Sequence, residues 1–453
     1  MTIFANALAA AIPADRILTQ PEAVERVSKD FYWYSPVLEK QLKDKTAEIA
    51  VIPKSLDELK AVVALAYEHD IPTTVRGAGT GNYGQAVPLY GGLVIDLSGL
   101  DRILEINPAG YVVAEAGARL GSIEMAARKV GWELRCYPST WVKASVGGFL
   151  GGGSGGIGSI TYGPLCENQT VRRIEMLTME KAPRLLTFSG DEIFPVLRTY
   201  GTTGIVTKIE LALGPRVDWA QLAVAFDSFA ACYDFTENFA LHSPVRKRLV
   251  TCFQAPIPDY FTPLKKFLPV GKAVVFLELD TAGFEQVAAS VAEAGGIVVF
   301  RQPYSSPRPA PLLSDYTWNH TTLWAIKSNP AYTYLQCGFD LVRAREQFAL
   351  LHDRFGDDFL LHIEFMKVGG KIVPGSIPVV MFSTEERLND MIAYCQEIGV
   401  NVANPHTWMV DCGARLGPTD PKYVAKQTYD PKALLNPGKM NGYPLPESLA
   451  VVA

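Results

Sequence analysis

The chain of 453 residues is long enough for two to three domains, and its 48% hydrophobic and 20% charged residues are the balance of a globular protein with a substantial core. A formal charge of −5, with the basic residues scattered, argues against a nucleic-acid partner, which would call for a concentrated basic patch. The seven cysteines (136, 166, 232, 252, 337, 395 and 412) are odd in number and contain no CxxC pair. Neither a disulfide framework nor a cysteine zinc site is expected, and a reducing cytoplasm fits.

Residues 3–12 form an apolar run that is short, lacks a basic leader and stops at Pro13. It reads as a docking helix, not a signal peptide or an integral span, with peripheral membrane contact as the weaker alternative. Ser55-Leu56-Asp57-Glu58 is a capping box, and Leu59, Val62, Val63 and Ala66 continue a helix that His69-Asp70 and Pro72 end. A strand over 73–76 runs into the glycine cluster VRGAGTGNYG, residues 75–84. A strand is expected over 93–97, then a hairpin of 103–106 with 112–116 across Asn107-Pro108-Ala109-Gly110, then a helix over 120–130 stopped by Gly131. In the next run, GGFLGGGSGGIG, eight of the twelve residues 147–158 are glycine. Strands follow over 173–179 and 205–213, with a helix from about Glu192 between them.

From about residue 217 the glycine content falls and the pattern changes. Strands are expected over 222–226, 249–254, 273–279 and 297–301, with helices over 229–241 and 284–294, which implies a second sheet covered by helices. Residues 303–311 are a stiff proline-rich loop; a strand over 359–366 and a helix over 385–397 lead to the tail DPKALLNPGKMNGY. The fold class is α+β.

Glycine costs backbone entropy and packs nothing, so two such clusters mark places where the main chain turns with positive φ or touches a ligand directly. Successive peptide N–H groups in such turns make anion-binding concavities, which suits a large phosphate-bearing cofactor. The strings 79–84, 151–156 and 153–158 match GxGxxG literally, but a Rossmann loop must open an amphipathic helix. AVPLYGG follows the first and SITYGPL the second and third, and neither continues as one.

Five ordered segments resemble a known family, the flavoproteins with the p-cresol methylhydroxylase-type FAD domain (the vanillyl-alcohol oxidase superfamily), in its glycolate oxidase FAD-subunit and D-lactate dehydrogenase branch. They are VIPKSLDELKAVVALAYEHDIPTTVRGAGTGNYGQAVP, GGLVIDLSGLDRILEI, YPSTWVKASVGGFLGGGSGG, YGTTGIVTKIELAL and LLNPGKMN, spread over residues 51–441. The resemblance implies a two-subdomain FAD-binding domain over 1–216, an α+β substrate or cap domain over 217–400, and a C-terminal segment, 401–453, returning to the FAD domain. It implies that Arg76, Gly77, Ala78, Gly79, Thr80, Gly81 and Asn82 wrap the FAD pyrophosphate. Pro138, Ser139, Thr140, Ser145, Gly147 and Gly148 match the second loop, Gly204, Ile205 and Val206 the adenine-side strand, and Asn436 and Lys439 the tail motif that returns to the cofactor. Relatives that tether the flavin use a histidine where this chain has Thr80, or a cysteine near where it has Trp141, so noncovalent FAD is implied.

A flavin oxidising an alcohol or 2-hydroxy acid at N5 needs a base for the hydroxyl proton, usually a histidine. Of six histidines, His69, His242 and His352 lie at expected helix ends, leaving three candidates. His406 in NVANPHTWMVDCG leads, because the branch carries a C-terminal histidine motif near there. His320 lies among Tyr316, Trp318, Trp324 and Lys327, and His362 shares a strand face with Glu364. Tyr162 matches a position near the flavin, and Arg301, Lys327 or Arg415 could bind a carboxylate. The metal-site motifs of the hydroxy-acid relatives are missing: Asn404-Pro405-His406 stands where they have Glu-His-Gly, so no metal is expected. The expected activity is that of a cytoplasmic FAD-dependent dehydrogenase or oxidase acting on the CH–OH group of a small molecule, with an unassigned electron acceptor. The alternatives are a flavin-binding subunit of a larger oxidase with little activity of its own, and an aromatic-alcohol or lactone oxidase.

Overall fold

The computed structural model describes residues 2–153, 155–165, 170–303 and 311–450. Most of the proline-rich loop, and Cys166, lie outside the described residues.

The N-terminal part is built on two sheets. The first has four strands in the order Ile17–Leu18, Ile49–Val51, Leu93–Asp96 and Thr73–Arg76, the last three parallel. Parallel strands need a crossover, and the helix Leu56–Glu68 supplies it between Ile49–Val51 and Thr73–Arg76. Its start is the expected cap: Ser55 accepts from Glu58 N at 3.1 Å, and the Glu58 carboxylate accepts from Lys54 N at 2.7 Å, one residue earlier than a capping box places it. Leu59, Val62, Val63 and Ala66 form a core with Phe4 and Leu8 of the N-terminal helix Thr2–Ala11. The tail docks on this sheet's edge, where Leu434 accepts from Thr73 N and Asn436 N donates to Thr73 O.

The second sheet is antiparallel. Its order is Ile103–Asn107, Tyr111–Glu115, Ile205–Pro215, Val171–Leu177 and Leu185–Ser189, with Trp132–Leu134 beside the far end of Ile205–Pro215. The expected helix from Glu192 is not formed. Only the turn Gly190–Ile193 follows the strand, because Pro195 offers no N–H and restricts Phe194 before it. The chain then kinks through Arg198 and Tyr200 at φ of 56° and 53°.

From Val217 the chain crosses into an eight-stranded sheet. Its order is Ile297–Pro303, Trp219–Phe226, Ala273–Asp280, Lys247–Phe253, His362–Val368, Lys371–Ser376, Cys337–Gly338 and Asn401–Val402. Alternation along one strand divides two cores. Leu222 and Val224 pack with helices Phe229–His242 and Phe284–Glu293, whereas Ala223 belongs to the core that also contains Phe149, Leu150 and Ile157 of the N-terminal part. The strand expected over 359–366 breaks at Leu361. Phe359–Leu360 joins a small sheet with Tyr332–Tyr334 and Val379–Met381, and His362–Val368 stays in the large one. Helix Asn319–Ser328 has no counterpart in the sequence reading, and Ala344–Phe355 has only the helix end expected at His352. At the crossover the buried Glu133 accepts from Val217 N at 3.2 Å and Trp219 Nε1 at 3.1 Å, pinning one sheet to the start of the next. Among the described residues no helix is long and apolar enough to cross a membrane.

Candidate active site

Both glycine clusters, the helix Asn319–Ser328, the large sheet and the C-terminal segment wall one cavity of 920 Å³. The first loop leaves the strand Thr73–Arg76 with the Arg76 guanidinium tied down, donating to Val27 O at 2.6 Å and Lys29 O at 2.9 Å and lying 3.6 Å from Asp96. Ser145 joins the two loops. Its Oγ accepts from Ala78 N of the first at 3.2 Å and from Gly148 N of the second at 3.3 Å. Such an approach leaves no room for side chains: a Cβ on Gly77 would lie 2.1 Å from Ser145 Oγ, and one on Gly147 would lie 2.7 Å from Ala116 Cβ. Gly79 also needs its positive φ of 64°. Residues 76–82, Pro138, Ser139, Thr140, Ser145, Gly147, Gly148, Gly204 and Val206 line the cavity. Ile205 turns instead into the core behind.

Asn436 and Lys439 stand behind the first loop, off the cavity wall. Asn436 Nδ2 donates to Gln85 O at 3.0 Å, and the buried Lys439 Nζ donates to the carbonyls of Gly84, Gln85 and Val87 at 2.8, 2.6 and 2.7 Å. Asp30, also buried, accepts from Tyr32 N and Ala86 N on the same loop. Burial raises the Asp30 carboxyl and lowers the Lys439 ammonium, each opposed by the other's charge. These two tail residues brace the loop that faces the ligand.

The three candidate histidines lie in different settings. His320 lines the cavity from the helix face that also carries Leu323 and Trp324, at i, i+3 and i+4. Its Nδ1 lies 3.1 Å from Asp315 O, a pure acceptor, so Nδ1 carries a proton and Nε2 is the basic nitrogen of the neutral ring. His362 is fully buried and off the cavity wall, stacked on Phe253 at 4.9 Å, with Nε2 2.9 Å from Glu364 Oε1. Glu364 itself reaches the cavity; it accepts from Trp318 N at 2.7 Å and from the Thr251 hydroxyl. That bond holds Trp318 at φ 53°, a strained value for a bulky residue, with its ring against Gly155.

His406, the leading sequence candidate, is not brought to the cavity wall. Ser35 Oγ already accepts from Leu38 N, so its own proton goes to His406 Nδ1 at 2.7 Å, and His406 Nε2–H donates to Tyr334 O at 2.8 Å. Both ring nitrogens are committed to joining the N-terminal part to the cap, and burial lowers the imidazole pKa to about 4. Tyr162 lies off the cavity wall, beside Arg135 and against Gly214. Lys327 lies over the Trp324 ring, and Arg301 over Phe284 beside Glu285. None of these three lines the cavity. Sequence reasoning passed over Arg198, Tyr83, Gln336 and Cys412, all on the wall. Only Tyr83, inside the first glycine cluster, carried a local signal.

Two main-chain loops bound through one serine, opening on a cavity closed by a second sheet domain, define a protein that holds a phosphate-bearing cofactor by its backbone. Residues 47–180 match the family described as FAD binding domain. The chain is 29% identical over 190 residues to glycolate oxidase subunit GlcD of Escherichia coli (strain K12), covering 40% of this chain and 37% of that protein. It is 30% identical over 243 residues to D-lactate dehydrogenase of Anaerostipes hadrus, covering 51% of this chain and 49% of the relative. The matches thus span about half or less of these relatives' own length. Among solved structures, alkyldihydroxyacetonephosphate synthase superposes with a TM-score of 0.73 at 14% identity, covering 97% of this chain and 86% of that one. Residues 47–180 are an FAD-binding domain. The glycine cradle fits that cofactor, since the space a Cβ would fill is already taken by the opposing loop.

Gly77→Ala pushes a methyl group into Ser145 Oγ and is expected to leave the purified protein with under about a tenth of its flavin, read from acid-released FAD, while it still unfolds cooperatively. His406 is neutral when folded down to about pH 4 but protonates near 6.5 when unfolded. Its contribution is therefore complete above pH 6.5 and lost as pH falls toward 4, on the order of 3 kcal/mol in all. Chemical-denaturation midpoints of the wild type against His406→Gln across that window are expected to converge at the acid end.

Proposed function

We propose that the protein is an oxidoreductase that holds FAD noncovalently and oxidises the CH–OH group of a small molecule, an alcohol or 2-hydroxy acid. The observation that carries this reading is His320: a histidine on the wall of the cofactor cavity, with Nε2 set as the basic nitrogen of its neutral ring by the Asp315 carbonyl. FAD, when bound, supplies the two-electron acceptor. His320 Nε2 takes the substrate hydroxyl proton as the hydride leaves the carbon, the task for which a near-neutral imidazole is suited. Glu364, held by His362, Thr251 and the Trp318 amide, fixes the backbone on which His320 begins its helix. Trp318 and Trp324 close that side of the cavity against water.

Noncovalent attachment is supported by the residues at the tethering positions. Thr80 occupies the first loop, and Cys136 is buried off the wall with its Sγ 3.3 Å from Ser159 Oγ. Cys337 and Cys412 reach the wall, but a hydrogen bond to Cys395 and burial raise the first, and burial raises the second, so both stay protonated thiols.

The test is the visible spectrum of the full chain under anaerobic conditions as hydroxy acids, sugar lactones and aromatic alcohols are added, followed by acid precipitation. Bleaching by one compound, with FAD in the supernatant, is the expected result; His320→Asn is expected to keep its flavin and slow bleaching by about 10²- to 10⁴-fold. A colourless protein overturns the cofactor assignment. A yellow protein that nothing reduces overturns the oxidase reading in favour of an assembly subunit.

A further inference from the structure

We infer that Asn82, Trp318 and Asn319 recognise the imide edge of the flavin ring, the stretch in which one ring N–H lies between two carbonyls. The inference rests on the FAD assignment and is independent of the oxidation chemistry proposed above.

Buried polar atoms in folded proteins almost always have a hydrogen-bond partner, because leaving one without is costly. Among the described residues, three such atoms on the cavity wall have none: Asn82 Nδ2, Trp318 Nε1 and Asn319 Oδ1. Groups left unpaired on the wall of a ligand cavity are those whose partners come with the ligand.

The three belong to one place. Asn319 Nδ2 donates to Asn82 Oδ1 at 3.4 Å, and Trp318 precedes Asn319 in the chain. Asn82, only 4% exposed, ends the segment of the first glycine cluster that lines the cavity beside Gly81. The Trp318 ring lies against Gly155 of the second cluster, where a Cβ would come within 3.1 Å of the indole. Both glycine clusters thus meet the start of the helix Asn319–Ser328 here.

The neighbouring bonds decide which atoms remain. The Asn319 amide nitrogen is spent on Asn82 and on the Tyr83 hydroxyl, which Gln336 also meets, so its oxygen is left. The Asn82 oxygen is taken by Asn319, so its nitrogen is left. An indole can only donate, and the Trp318 ring is set in place by the bond from its amide to Glu364 at 2.7 Å.

Two donors and one acceptor, all neutral, are the complement of an edge with two acceptors and one donor. The isoalloxazine ring carries that edge as C2=O, N3–H and C4=O. The other parts of FAD do not: a pyrophosphate is anionic and takes donors only, and adenine has no carbonyl. A simple alcohol or hydroxy acid has no N–H between two carbonyls. In the flavin, N5 neighbours C4=O, and His320 is the residue after Asn319. One turn of backbone therefore carries both the group that meets the edge and the base assigned to the reaction.

The test exchanges the flavin of the full chain for 3-methyl-FAD, in which a methyl group replaces the N3 hydrogen, and reads affinity from the flavin spectrum without turnover. The wild type is expected to bind 3-methyl-FAD about tenfold or more weakly than FAD, since the methyl removes the donor and meets Asn319 Oδ1. Asn319→Ala is expected to reduce that ratio to about twofold or less, because the shorter side chain leaves room and offers no acceptor. Trp318→Phe keeps a ring on Gly155 and removes only the N–H. It is expected to weaken FAD about tenfold with the ratio retained, and to lower the reduction potential of the bound flavin, since a donor on a ring carbonyl favours the electron-rich reduced form. Equal binding of FAD and 3-methyl-FAD by the wild type overturns the proposal, and needs no variant to fold. So does an Asn319→Ala protein that keeps the wild-type ratio, since another group then accepts from the ring N–H. If the ratio behaves as expected but no alcohol or hydroxy acid reduces the flavin, the edge contact stands and the oxidation reading fails.

Discussion

The contact on which the rest of the molecule depends is that of Ser145 Oγ with Ala78 N and Gly148 N. It brings two stretches of main chain, 67 residues apart, close enough that Gly77 can carry no Cβ. Everything else in the N-terminal part serves this approach. The parallel strands aim the first loop, the Tyr111–Glu115 and Ile205–Pro215 strands present Ala116 to Gly147, and Lys439 holds the back of the first loop through three carbonyls. The glycine loops offer peptide N–H groups, which cost no side-chain ordering when a ligand binds and carry no net charge of their own.

The cap meets that cradle with a different kind of chemistry. Its contribution is a few fixed side chains on a rigid sheet and one helix. The Glu364 carboxylate is the organiser, since it takes bonds from Thr251 of a neighbouring strand, His362 of its own and the Trp318 amide. The strained Trp318 backbone is tolerable because that carboxylate would otherwise be buried without enough donors. His406 shows the converse. Two good hydrogen bonds and deep burial make it a rivet between the halves, and the features that stabilise it are those that remove it from proton transfer.

Much of the fold was legible because its signals are local. The capping box at Ser55, the hairpin at Asn107–Gly110, the helix Glu385–Glu397 and both glycine loops each rest on a short run of residues with one physical meaning. The reading went wrong where a distant partner decides. Leu361 sits in an unbroken apolar run, yet the strand divides there between two sheets, and nothing in FLLHIEFM marks the division. The helix expected after Glu192 is lost to Pro195, which is itself a local signal. In the site, the loops were readable because glycine announces main-chain contact. His320 and His406 look alike in sequence, each beside a tryptophan and an asparagine; only the tertiary neighbours, an open wall or a serine and a carbonyl, separate them. Arg198 carried no signal because it reaches the cavity wall across Gly153, a neighbour distant in sequence.

The bracing of the first loop by Asn436 and Lys439 has a consequence for how the protein comes to be. The loop at 77–84 leaves the ribosome early, but the amide and ammonium groups that fix its carbonyls come more than 350 residues later. At about 5 to 20 residues per second, that interval lasts some tens of seconds. During it the cradle lacks its rear support, and the cofactor has no finished seat. Loading is thereby deferred until the cap has been made and the tail has threaded back, so a truncated chain, even one containing both glycine loops and every strand around them, would hold its ligand poorly.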